Sequence, residues 1–271
     1  MPNQTHYQER RLGDGGELQA FFAINPARKA IVFVHGWNGD ALTTWADFQT
    51  MLPAAPDSAG YDLFFYNYDG LRAEMIASVG LFREALEQLG DDPLPLINPS
   101  LDPAVRRPQT FAYDTIVVVA HSLGAVLARW AIIDGIKSKS AWPQKTKCVF
   151  FAPAHSGANV VGLASEALSG IGLSRPFTAG AKFVSPLIAQ LESESKWLKR
   201  LAREARRALD AGHQCVVPVR IFIADYDKIV NNLPLEIDPP AKTIKGTTHT
   251  SICKPTSEFK APLTALLKEL R

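Results

Sequence analysis

Apolar positions along the chain fall into short runs of strand length, separated by longer stretches with helical spacing. Residues 30–34, 61–66, 115–120 and 147–152 are nearly continuous runs of Val, Ile, Phe, Tyr and Ala bounded by turn residues. That is the pattern of strands buried on both faces. Residues 17–24 predict an earlier strand after a turn at Gly13, Gly15 and Gly16, with Pro26 ending it. Residues 216–224 and a short segment at 242–245 predict two more. Between them, 43–52 carries Trp45, Phe48 and Leu52 at helical spacing, and 73–90 reads as a helix stopped by Gly90. Residues 123–135 and 257–270 read as two further helices, the last with Phe259, Leu263, Leu266, Leu267 and Leu270 apolar. Strand and helix alternate. The expectation is an α/β fold with a mostly parallel central sheet flanked by helices on both faces.

Two stretches interrupt that rhythm. Residues 91–111 contain Pro93, Pro95, Pro99, Pro103 and Pro108 and read as a surface loop; a loop of that length can also border a site. The longer departure spans 160–212. Its first part, 161–184, is small, apolar and glycine-containing. Its second, 186–211, is helical: Leu198, Leu201, Ala205 and Leu209 share one face, while Lys196, Lys199, Arg200, Arg203, Arg206 and Arg207 cover the rest. The basic face has two readings, a solvated surface or peripheral contact with anionic membranes. One domain over 1–271, with an inserted helical cap at roughly 160–212, accounts for the whole pattern.

Composition narrows the function classes. The chain has 271 residues, 46% of them hydrophobic, enough for a full core. Its 29 Lys and Arg nearly balance 27 Asp and Glu, so no nucleic-acid partner is expected. Cys148, Cys215 and Cys253 are scattered, lack C-x-x-C spacing and read as buried free thiols rather than a disulfide framework. Residues 1–11 are polar without an apolar core, and no apolar run approaches a bilayer span, so a soluble cytoplasmic protein is the expectation. Phosphate-loop, His-Glu-x-x-His and clustered His/Cys patterns are absent, so no cofactor or metal is implied.

The chemistry concentrates at Ala120-His121-Ser122-Leu123-Gly124. Ser122 falls where a buried strand must turn sharply into a helix, the form of a nucleophile elbow with Ala120 in the first small position. Such a turn strains the serine backbone, and small residues two positions away on each side let the chain pass. The helix N-terminus also brings a backbone N–H and a positive dipole end beside the hydroxyl.

A serine needs a base. In folds built around such an elbow the acid follows the serine and the histidine comes last. Downstream lie His155, His213 and His249. His155 precedes any suitable acid, and His213 follows the cap helix, away from a strand end. His249 sits in a Gly/Thr loop between the last strand and the last helix, where a base belongs. The acid should follow the strand ending at Ala224, which leaves Asp225 and Asp227. Asp225, at the strand end, suits capping a turn through its own backbone, so Asp227 is preferred. Its role would be to fix the tautomer of His249 and stabilise the imidazolium. Oxyanion donors are expected from the backbone N–H groups of Leu123 and of Trp37, in the loop His35-Gly36-Trp37-Asn38-Gly39. His35 and His121 read as packing or hydrogen-bonding residues around the site.

The motifs form an ordered series along nearly the whole chain. Val34-His35-Gly36-Trp37-Asn38-Gly39 is followed by Thr44-Trp45, Tyr66-Asn67-Tyr68 and the elbow. Ala152-Pro153-Ala154-His155-Ser156-Gly157 and His249-Thr250-Ser251-Ile252-Cys253-Lys254-Pro255 complete it. This series resembles the α/β-hydrolase superfamily, and within it the lipase-like serine esterases related to GPI inositol-deacylases. The resemblance implies Ser122 as nucleophile, His249 as base and Asp227 as acid, with Trp37 and Leu123 as oxyanion donors. It departs at Ala120, where Gly is commoner, and at Ala152, where Thr is usual before Pro153. The implied activity is hydrolysis of a small-molecule or lipid carboxylic ester, and the apolar stretch 160–184, as the wall of an acyl pocket, would favour a hydrophobic acyl group. Thioester or amide cleavage and acyl transfer need the same groups, and a binding module on a hydrolase scaffold is the non-enzymatic alternative.

Overall fold

The computed structural model describes residues 10–12, 18–70, 74–101, 106–158, 195–230 and 233–271. The strands are β1 (Arg10–Leu12), β2 (Leu18–Phe21), β3 (Lys29–Val34), β4 (Tyr61–Tyr66), β5 (Thr115–His121), β6 (Thr146–Phe151), β7 (Arg220–Ala224) and β8 (Lys242–Ile244). They form one eight-stranded sheet in the order β1-β2-β4-β3-β5-β6-β7-β8. From β4 to β8 every pairing is parallel, and β1 and β2 add an antiparallel edge. The apolar runs of β3, β4 and β5 are buried almost throughout, as strands covered on both faces must be.

The helices are α1 (Phe48–Ala54), α2 (Met75–Asp91), α3 (Leu94–Ile97), α4 (Leu123–Lys137), α5 (Lys196–Asp210) and α6 (Ala261–Leu270). The segment predicted as one helix at 43–52 divides into a 3-10 turn, Thr43–Trp45, and α1, because Ala46 takes φ of 45° between them. β7 begins at Arg220 rather than 216: Gln214–Val216 form a 3-10 turn, and Pro218 has no N–H for a ladder. α6 begins at Ala261 rather than 257, since Thr256 and Phe259 close a small loop by two hydrogen bonds of 3.0 Å.

The proline-rich excursion is ordered where it is described. It lies at the N-terminal ends of the strands, between the end of α2 and the start of β5, and continues as α3 and a 3-10 turn at Asn98–Ser100. Arg107 anchors it: the guanidinium donates to the Ala23 carbonyl at 2.9 Å and to Asp62 of β4 at 2.9 Å. Tyr113 donates to the other Asp62 oxygen at 2.6 Å. The excursion is thus tied to the end of the sheet remote from Ser122.

Of the predicted cap at 160–212, residues 160–194 lie outside the described residues. α5 buries Leu198, Leu201 and Ala205. Trp197 meets Trp130 edge-on, and Glu204 pairs with Lys137 at 2.9 Å, so contacts step in the same direction along α5 and α4. α5 therefore runs beside α4 as the crossover helix between the parallel strands β6 and β7. Its cations Arg206 and Arg207 meet Asp210, Glu236 and Glu204, which makes this face mixed in charge rather than uniformly basic.

Among the described residues no helix is long and apolar enough to cross a membrane. All three cysteines are free; Cys148 and Cys253 are buried and Cys215 is half-buried. Burial pushes the thiols of Cys148 and Cys253 up to about 12, which leaves them inert.

Candidate active site

The parallel strands deliver their C-terminal ends to one edge of the sheet, the place where open α/β sheets bind ligands. β5 ends in His121 and α4 begins at Leu123, so Ser122 alone makes the reversal, at φ 53° and ψ −119°. Only a highly constrained neighbourhood holds a non-glycine residue there. The constraints are visible. Ser122 N–H donates to the Phe151 carbonyl at 3.0 Å, and the Ser122 carbonyl accepts from Ala125 at 3.1 Å and Ala154 at 3.2 Å. A Cβ on Gly124 would stand 2.4 Å from the carbonyl oxygens of Val34 and His35, and one on Gly36 would stand 2.9 Å from the Ser122 Cβ. Glycine at both positions lets the β3 loop lie directly against the elbow.

His249 Nε2 lies 3.0 Å from Ser122 Oγ, and its Nδ1 lies 3.0 Å from Asp227 Oδ2. The carboxylate can only accept at Nδ1, which leaves the Nε2 lone pair facing the serine hydroxyl. The three side chains come from β5–α4, the loop after β7 and the loop after β8, as the order of motifs predicts. All three are buried. Burial works to raise the Asp227 pKa, but the His249 hydrogen bond and charge, with the N–H groups of Ile229 and Val230, outweigh it and hold the carboxyl below its usual range.

The reason given above for setting Asp225 aside needs correction. Asp227 makes the local turn, accepting from Ile229 at 2.9 Å and Val230 at 3.1 Å through Oδ1. Asp225 instead reaches across to the loop that carries His249 and accepts from Gly246 and Thr247, both at 2.9 Å.

His35 and His155 serve as structural donors. His35 Nδ1–H donates to the Gly36 carbonyl at 2.8 Å, its Nε2 accepts from Tyr68 N–H at 3.3 Å, and its ring stacks on Tyr68 at 4.4 Å. This fixes the start of the loop that carries Trp37. His155 donates from Nε2 to the Ala125 carbonyl on α4 at 3.1 Å. Arg129, two turns along α4 and fully buried, pairs with Asp238 at 2.6 Å and so ties the segment after the Asp227 loop to the helix that follows Ser122. Its long reach, like the Asp225 and His121 contacts, left no spacing signal in the sequence. Among the described residues no group of His, Cys, Asp or Glu is placed to hold a metal ion.

Sheet order, parallel centre and an elbow after β5 define the α/β-hydrolase fold. No protein-family model matches the sequence, and no curated protein matches it. Solved structures do match in fold. The chain is similar to the mature lipase BlEst2 of Bacillus licheniformis, with a TM-score of 0.54 at 16% identity over 89% of this chain and 93% of that one. It is similar to the monoacylglycerol lipase of Paleococcus ferrophilus, at 0.53 and 16% over 96% and 98%. The peroxisomal α/β-hydrolase Lpx1 of Saccharomyces cerevisiae follows at 0.51 and 12%, over 100% and 84%.

Proposed function

We propose that the protein is a serine hydrolase of carboxylic esters, acting on small-molecule or lipid esters with a hydrophobic acyl group. The observation that carries this reading is the continuous pair of 3.0 Å contacts from Asp227 through His249 to Ser122, with the serine on a strained elbow. Similarity to solved lipases supports the scaffold, and the chemistry is argued from these side chains. The narrower kinship with inositol-deacylase-related esterases rests on the motif series alone.

In this mechanism Ser122 Oγ attacks the ester carbonyl as His249 Nε2 takes its proton. Asp227 holds the Nδ1–H tautomer and balances the imidazolium charge without taking the proton. Leu123 is the first residue of α4, where the helix ladder takes no N–H, so its amide serves the oxyanion. The Trp37 amide is the second donor. Collapse of the tetrahedral intermediate expels the alcohol, which receives the proton from His249. Water, deprotonated by His249, then attacks the acyl-serine and frees the acid. Thioester substrates or a non-water acceptor would pass through the same acyl-enzyme.

The test is covalent labelling with a fluorophosphonate probe, followed by p-nitrophenyl esters of graded chain length. Labelling of the wild type that disappears in Ser122→Ala, and slows strongly in His249→Ala and Asp227→Asn, is the expected result. Undiminished labelling of Ser122→Ala would remove Ser122 as the nucleophile.

A further inference from the structure

His249 carries a contact that the two catalytic hydrogen bonds do not explain. Its backbone carbonyl lies 2.8 Å from Nε2 of His121, the last residue of β5 and the immediate neighbour of Ser122. The two imidazole rings also touch, with centroids 4.9 Å apart. A carbonyl oxygen only accepts, so His121 bears its proton on Nε2. Its other nitrogen faces the β3 loop: a Cβ on Gly36 would lie 3.2 Å from His121 Nδ1. One buried ring therefore sits among the elbow, the base loop and the loop proposed to hold the oxyanion.

The loop carrying His249 has little regular structure of its own. It runs from the end of β8 through Gly246, at φ 75°, toward α6. Asp225 holds its start at Gly246 and Thr247, and Ile252 N–H closes on the Thr248 carbonyl at 3.1 Å. At residue 249 itself His121 holds the backbone carbonyl. Ser122 is covalently next to that anchor, so nucleophile and base are referenced to the same peptide of the sheet.

We infer that His121 is a positioning residue, which through its Nε2–H fixes the His249 backbone at the distance from Ser122 that proton transfer requires. The inference rests on the roles proposed above for Ser122 and His249. Burial first, and then the neighbouring His249 charge, push the His121 pKa down to about 3, so the donor is neutral at working pH. A neutral donor holds the carbonyl without opposing the imidazolium that forms on His249 during the reaction. Displacement of the base by about 1 Å costs on the order of 100-fold in rate, which gives the clamp its kinetic consequence.

The experiment compares wild type, His121→Phe and His121→Gln. Phenylalanine fills the space without a donor, and glutamine restores an N–H near the Nε2 position. The expected result for His121→Phe is a fall in kcat of about 10- to 100-fold, little change in KM and a parallel fall in the fluorophosphonate labelling rate. Glutamine should recover much of the loss. Unchanged kcat in His121→Phe with only a lower thermal midpoint would reduce His121 to a packing residue and overturn the inference. So would a His121→Gln variant no better than His121→Phe. Should the phenylalanine variant not fold, nitrogen-15 NMR of the wild-type imidazoles decides, with the His121→Gln spectrum assigning the signals. Protonation at Nε2 is expected, and a Nδ1–H tautomer overturns the clamp. Wild-type labelling that survives Ser122→Ala would instead defeat the proposed function, and this inference with it.

Discussion

Asp225 and Asp227 stand on one short loop after β7 and hold two different parts of the base loop: Asp227 takes the His249 ring at 3.0 Å, and Asp225 takes the Gly246 and Thr247 amides at 2.9 Å. Their substitutions should separate accordingly. Asp227→Asn leaves the shape intact but cannot enforce the tautomer, so kcat/KM should fall by about 10⁴-fold with the fold retained. Asp225→Asn should lower the thermal midpoint and reduce kcat only modestly, because the triad contact remains. Steady-state kinetics and thermal melts on both variants decide the matter, and a reversed pattern would make Asp225 the acid.

His35, His121 and His155 are buried, and burial is the main force lowering all three pKa values, to about 3 for His121. In the unfolded chain each takes up a proton below about pH 6.5, while in the folded protein each does so only at lower pH. Stability is therefore unaffected above that pH and falls as pH drops below it. Protons taken up on unfolding by His121 and His155, the two held far below the usual range, set a slope approaching about 2.7 kcal/mol per pH unit, and His35 adds to it in the same direction. Urea titrations at pH 7.5, 6.0 and 5.0 should show the loss. His155→Phe, whose ring can keep the edge contact with Phe150, should flatten the slope by somewhat less than about half. An unchanged slope would mean that His155 is already charged in the native state.

What the sequence revealed and what it hid follow from the range of the interactions. Ser122 and Asp227 follow strands with their own apolar runs, and His249 follows the short β8 before the last helix, so their places could be read from local pattern and chain order. The parallel sheet was legible for the same reason. Ala46 was not, since its left-handed backbone breaks a helical apolar spacing that Trp45 and Phe48 otherwise satisfy. Arg107 and Asp62 lie 45 positions apart, and no periodicity marks their pairing, so the proline-rich excursion read only as a surface loop. Within the 186–211 segment, the part described, Lys196–Asp210, was legible as a helix from its apolar face. That it lies along α4 is set by Trp130 and Lys137, which carry no signal of their partners.

The two small residues of the elbow should respond unequally. Gly124→Ala places a Cβ 2.4 Å from two backbone carbonyl oxygens of the β3 end, atoms that cannot move without shifting the strand. Overpacking of that kind costs about 1–3 kcal/mol or more, and here it also pushes the β3 loop away from Ser122. Ala120→Gly sits in the interior of β5 and should cost about 0.5–1 kcal/mol through backbone entropy, with kcat preserved. Melting temperatures and labelling rates distinguish them. A fully active Gly124→Ala would mean that the β3 end yields where the close packing says it cannot.

Arg107 and Asp62 test whether the remote end of the sheet is coupled to catalysis. Both side chains are essentially buried, and the guanidinium also lies over Phe22 and Phe111. Arg107→Leu removes the cation from the buried Asp62 carboxylate, which Tyr113 and the Ala23 N–H continue to bond. Breaking a buried ion pair from one side costs about 3–5 kcal/mol, a large share of the stability of a single domain. Asp62 is near the start of β4, whereas Ser122, Asp227 and His249 gather at the strands' C-terminal ends, so the folded fraction should keep the wild-type kcat and KM. The measurement is denaturant unfolding beside kinetics at low temperature, where most of the variant is folded. A lower kcat per folded molecule would show that the excursion reaches the site after all, through β4 and the Tyr68 that follows it.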